Sequence, residues 1–138
     1  MLRKILAIVA VLLVIGAAVG YYMWNKPHRT AEDEKPAATL TADELFNQFN
    51  SDAAGSNAKY LDKVIQVSGV VNSVKTTENN ETKIALQTPD EMGIAEISVI
   101  LKAGEKADQI KDGTTVVLKG ICSGFNTDVE LRQAVIIK

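Results

Sequence analysis

The sequence predicts a mainly β protein: a five-stranded Greek-key barrel with an N-terminal α-helix, set behind a segment long enough to be a transmembrane or signal helix. Three observations point there. Residues 5–19 carry no charged side chain; residues 64–136 divide into five apolar, largely β-branched runs separated by polar turns; and single glycines, Gly69 and Gly120, stand inside the first and fourth of those runs. A lone glycine in a strand marks a bulge or a sharp coil, and a small barrel needs such bends to close.

The apolar run, continued by Tyr21, Tyr22, Met23 and Trp24, reaches the ~20 residues that a helix needs to cross about 30 Å of hydrocarbon. Arg3 and Lys4 precede it, which keeps the N-terminus cytoplasmic, and the aromatic cluster reads as an interfacial belt on the far side. Ala18 and Gly20 also fit a small-x-small cleavage site, so a cleaved signal remains the alternative. The apolar character persisting past Gly20 favours a retained, single-pass anchor in an inner membrane with the rest of the chain on the periplasmic side. No cysteine directly follows the run to carry a lipid.

Three segments result: residues 1–24 as anchor or signal, 25–39 as linker and 40–138 as one domain with one core. The linker, NKPHRTAEDEKPAAT, has Pro27 and Pro36 among charges and no apolar periodicity, the composition of a solvated, flexible spacer. His28 lies in it as a solvated residue. Beyond the anchor, 17 acidic residues face 13 basic ones, the 15 of the whole chain less Arg3 and Lys4. That excess of negative charge is the opposite of a nucleic-acid footprint. Cys122 is the single cysteine, so stability must come from packing rather than from an internal disulfide.

Order is expected from Leu40. Thr41 and Glu44 have the spacing of a capping box and Leu40 and Leu45 that of a hydrophobic staple, so a helix starts at Ala42. Leu45, Phe46 and Phe49 share its apolar stripe. Residues 51–57 read as a polar turn that ends it. The first strand, 64–75, is followed by the polar loop 76–82. In the second, 83–87, Ile84 and Leu86 point inward while Lys83, Ala85 and Gln87 point outward; in the third Ala95, Ile97, Val99 and Leu101 alternate with Glu96, Ser98, Ile100 and Lys102. Residues 104–113 suit one or two helical turns, with Ala107 and Ile110 plugging the barrel's end. Val116, Leu118 and Cys122 line a fourth strand, and Val129, Leu131, Ala134 and Ile136 a fifth with a bulge near Gln133.

This order of elements matches the OB-fold, with a split sandwich as the other architecture open to it. The stretches KYLDKVIQVSGVV (59–71), KDGTTVVLKGICSG (111–124) and VELRQAVI (129–136) resemble the bacterial tRNA-anti-like family of OB-fold domains, many of which follow a signal or membrane anchor. The resemblance covers residues 40–138. It implies the fold more than a ligand, because fold alone does not carry an activity across.

OB domains that hold single strands stack bases on aromatics of the second and third strands and draw the backbone in with positive charge. Those strands have no aromatic here, and the outward positions Gln66, Ser68, Lys83, Ala85, Gln87, Glu96 and Ser98 are small or charge-balanced. The residues therefore argue against nucleic acid, which stays as the alternative ligand. Catalysis is not expected: the lone histidine is in the linker, and no serine or cysteine has a histidine within the ordered domain to activate it. Cys122 on a core face reads as an inert buried thiol. Neither a metal nor another cofactor is expected, since one Cys, one His and scattered carboxylates make no ligand pattern; Asp90 and Glu91 read as turn residues and Asn80-Glu81-Thr82 as an idle sequon. The expected function is an exported, membrane-held binding or adaptor module for an envelope protein or saccharide. Its contacts are expected on the loops that rim the barrel face, at Glu78, Asn79, Asn80, Phe125 and Asn126, with Phe125 either anchoring a partner or capping the barrel.

Overall fold

The computed structural model describes residues 1–26 and 30–137; His28 lies outside them. Helix α1 (Leu2–Trp24) is apolar along its length and has no buried residue. Its 23 residues extend about 34 Å at 1.5 Å each, enough to cross a bilayer as an anchor or to serve as a signal.

The remaining elements are β1 (Ala38–Thr41), α2 (Ala42–Ser51), α3 (Ala53–Tyr60), β2 (Val64–Thr76), β3 (Thr82–Leu86), β4 (Ile97–Leu101), β5 (Thr115–Phe125) and β6 (Val129–Ile137). Strands β2, β3, β4, β6 and β5 pair in that order, and β2 also pairs with β5, which closes the barrel. All contacts in the ring are antiparallel except β4 with β6, where Ile97 lies opposite Val129. That is the five-stranded Greek key of an OB-fold. A single long strand, β2, serves both sides of the closure: residues 64–70 pair with β5, and from Val71 on it pairs with β3.

Alternation decides the interior. Ile65, Val67, Ile84, Leu86, Ile97, Val99, Leu118, Cys122, Leu131 and Ala134 are fully enclosed, and the inward faces expected of every strand hold. Helix α2 caps one end with Leu45, Phe46 and Phe49. It starts at Ala42 because the Thr41 hydroxyl accepts from the Glu44 amide at 3.1 Å while the Glu44 carboxylate accepts from the Thr41 amide at 2.9 Å, a complete capping box. Gly69 serves this seat: a Cβ there would lie 2.8 Å from that of Ala42. The bulge in β2 falls a little further on, at Asn72, whereas Gly120 does sit at a register shift in β5 and Gln133 takes φ 49° at the one in β6.

Four features depart from expectation. Helix α3 takes up most of the turn expected over residues 51–57 and runs on to Tyr60, because the Asp52 carboxylate caps the Gly55 amide at 2.9 Å and the Tyr60 hydroxyl donates to Gln48 of α2 at 2.6 Å. Residues 104–113 are successive turns, not helix, although Ala107 and Ile110 do pack against the core. Ala85 and Ser98 face outward as expected yet are buried. The spacer expected to run free to Thr39 is instead seated on the barrel. Ala31 is fully buried and its amide reaches the Gln133 carbonyl, the Ala37 amide donates to Val64 at 2.7 Å, and β1 adds a parallel strand to β2, with Ala38 opposite Ile65 and Thr41 opposite Ser68.

Candidate functional site

The outer face of β3 and β4 is where an OB barrel commonly binds. Its centre is the cross-strand pair Ala85 and Ser98, two side chains too small to reach a ligand. Lys83, opposite Ile100, and Glu96 sit diagonally on either side of that pair and join in a salt bridge at 3.3 Å, which spans the small residues and explains their burial. Arg132 and Glu130 of neighbouring β6 pair with each other. The cations of this face are thus matched by carboxylates, and none of its strand positions is aromatic, so it offers neither stacking planes nor a positive track.

The five loop residues expected at the rim separate into two places. Glu78, Asn79 and Asn80 are exposed on loop 77–81, which folds on itself: the Thr77 amide donates to the Glu81 carbonyl at 2.9 Å, the Asn80 amide to that of Thr77 at 3.0 Å, and the Glu81 amide to the Thr77 hydroxyl at 3.2 Å. Phe125 and Asn126 lie at the other end of the β3–β4 ladder, since β6 begins at Val129 opposite Ile97 while loop 77–81 runs into Thr82, two residues before Ile84 and its partner Val99. Phe125 is half-buried and its ring packs 5.8 Å from that of Phe49, so it caps the barrel over α2. Asn126 is exposed beside it, lining a small cleft with Glu130 and Arg132.

Joined through Asp128 to the loop that carries Asn126 is a second loop, read in the sequence only as a turn. Residues 88–95 join β3 to β4, and Asp90 organises them: its carboxylate accepts from the amides of Ile94 at 2.8 Å, Ala95 at 2.9 Å and Met92 at 3.4 Å. Those bonds, Ala95 foremost, hold the Asp90 carboxyl below its ordinary range, because hydrogen bonds to the charged form favour it. The Thr88 hydroxyl closes the base on the Ala95 carbonyl at 2.6 Å, and Gly93 turns the chain with φ 62°. The Glu96 amide donates to Asp128 at 3.1 Å, tying this loop to the one that carries Asn126.

The consequence is a fixed tip presenting Met92 and Ile94, which are 78% and 64% exposed. Beyond α1 the other large apolar side chains exposed among the described residues are Leu61 and Ile137, at 44% and 36%. Two clefts flank the base of the tip and share Gln87 and Thr88: one of about 420 Å³ against Thr41, Asp43 and Ser68, one of about 220 Å³ against Asn72 and Glu96. In the sequence the tip is EMGI (91–94), two apolar residues bracketing a glycine in an expected turn.

Cys122 is fully enclosed in β5, and burial pushes its thiol above the ordinary value, so it stays protonated at neutral pH.

A closed five-stranded barrel capped by a helix, with a mixed polar outer face, defines this domain as an OB-fold. The chain matches the tRNA_anti-like family over residues 1–135 and belongs to it. Among solved structures it is similar to a lipoprotein of Klebsiella pneumoniae subsp. pneumoniae MGH 78578 that carries a provisional nucleic acid-binding name. The TM-score is 0.59 at 15% identity, over 72% of this chain and 91% of the other, a likeness that extends to fold. No curated protein matches the chain.

Proposed function

We propose that this is a non-catalytic, membrane-anchored adaptor whose barrel stands on the exported side and docks on an envelope protein through the 88–95 loop. The observation that carries the reading is the pair Met92 and Ile94, held out to solvent on a turn fixed by three bonds to Asp90. A soluble surface gains nothing from two such side chains, whereas a protein interface draws on apolar anchors, methionine prominent among them, surrounded by polar rim. Gln87, Glu91 and Asn126 supply that rim. Ordering the loop beforehand also reduces the entropy cost of association. A saccharide is the weaker reading, because the aromatic that would stack on it, Phe125, is already packed on Phe49. Nucleic acid finds a charge-balanced face without aromatics.

The test is photo-crosslinking in intact membranes from position 92 or 94 of the full-length chain, with Asn79 as the comparison position. One discrete adduct from 92 and 94, absent from 79 and lost when Ile94→Asp is combined with the probe at 92, is the expected result. Adducts of equal yield from all three positions would remove the loop from the site. Retention of the protein on single-stranded oligonucleotides with a steep loss in salt would move the reading to nucleic acid.

A further inference from the structure

We infer that residues 30–37 form an intramolecular strap that shortens the tether and confines the barrel to the membrane surface, so that the partner must offer its docking pocket there. This rests on the anchored-adaptor reading and adds the partner's location to it.

The strap crosses the outside of β6, β5 and β2. Ala31 begins it at the Gln133 carbonyl of β6. Glu32 pairs with Lys102, just past the end of β4, an ion pair that lowers the carboxyl and raises the ammonium from their ordinary values. Lys119, pointing outward from β5 between the enclosed Leu118 and Gly120, donates to the carbonyls of Glu32 at 2.9 Å and Glu34 at 3.0 Å. Ala37 then joins the Val64 carbonyl of β2 and leads into β1. Under this path lie Val64 and Val135, outward-facing by alternation and yet 2% and 6% exposed; with Ala31 they are buried outside the central core. A segment that runs beside two buried valines and accepts two hydrogen bonds from one lysine ammonium is part of the fold.

The reach follows from covalent geometry. Seven Cα steps separate Trp24 from Ala31, at most about 25 Å when fully extended, whereas the fourteen to Ala38 would allow about 50 Å. The strap therefore halves the tether. It also spends the β6–β5–β2 side of the barrel on the chain itself and leaves the β3–β4 side, with Met92 and Ile94, for the partner.

The experiment uses full-length protein in lipid vesicles. Energy transfer from a dye at Asn79→Cys to acceptors on the lipid headgroups reads the height of the barrel, and glutamyl endopeptidase reads whether Glu32 and Glu34 are held. Expected are a short, narrow height distribution and slow cleavage in the parent, with Lys102→Ala/Lys119→Ala raising cleavage about tenfold or more as charge-assisted bonds are lost and shifting the height outward by up to about 25 Å. A retained circular-dichroism spectrum and unfolding midpoint show that the barrel survives the substitutions. Equal cleavage in parent and variant would overturn the strap. Faster cleavage with unchanged height would overturn its role in setting reach. Parent protein found in the supernatant rather than on vesicles would sink the anchored reading and the confinement with it, while the protease result would still report on the strap alone.

Discussion

The two outer faces of the barrel have opposite fates. On the β6–β5–β2 side, residues 30–37 run across the outer face, bonded to Lys119 and to the Val64 carbonyl, and Val64 and Val135 there are buried; on the β3–β4 side, the Lys83–Glu96 bridge spans Ala85 and Ser98, and the adjoining loop lifts Met92 and Ile94 into solvent. Both faces are built from strands of the same alternation. The difference teaches that exposed apolar surface on one side was removed by recruiting a strap, and on the other was kept and stiffened. On the proposed reading, the uncovered pair on its ordered turn is the side that meets a partner.

The comparison breaks most severely if the interior common to both faces is cut. Phe49 packs against Tyr60 of α3 at 6.2 Å and Phe125 of β5 at 5.8 Å, so Phe49→Ala should cost about 3–5 kcal/mol, seen as a large fall in the denaturant midpoint and loss of both faces together. A sharper probe separates them. Val135→Ala, under the strap, should destabilise by about 2 kcal/mol from lost burial and the cavity it leaves, whereas Met92→Ser should leave the midpoint within about 0.5 kcal/mol while abolishing the crosslink. Equal stability losses from the two would mean that Met92 is buried in solution and that the faces do not differ.

The smallest effect is local. The folded Asp90 carboxyl lies below its ordinary value of 3.8, so its contribution to loop order is complete above that value and is lost as pH falls through the lower, folded one. Amide protection at Ile94 and Ala95 should drop in that acid window, and Asp90→Ala should reproduce the drop at neutral pH, with the barrel's core amides unchanged in both cases. Core amides losing protection in step would show that the loop and barrel unfold as one unit.

Much of this was open to a reader of the sequence because it is encoded by neighbours. The α2 start is written in Thr41 and Glu44, the inward faces in every second residue, the β6 bulge in the phase slip around Gln133, and α1 in an uncharged run; each depends on contacts within a few residues or along one strand. Helix α3 was hidden because Gly55 and Asn57 read as a turn, and its support, a bond from Tyr60 back to Gln48, lies on another helix. Of the expected rim residues, Asn126 lies on the loop that Asp128 ties to the 88–95 turn, Glu78 to Asn80 lie at the far end of the ladder, and Phe125 packs on Phe49 as a cap.

What the sequence alone determined, then, is the barrel, its capping helix and the apolar segment in front, since periodicity and capping are local codes. Tertiary structure alone decided which apolar residues outside those inward faces are covered. Residues 30–37 carry no periodicity, and they are ordered by Lys102 and Lys119, whose partners lie 70 to 87 positions away. Met92 and Ile94 look in sequence like any other apolar pair, and only the fold, which ties their loop to Asp128 and packs little over its tip, leaves them facing water.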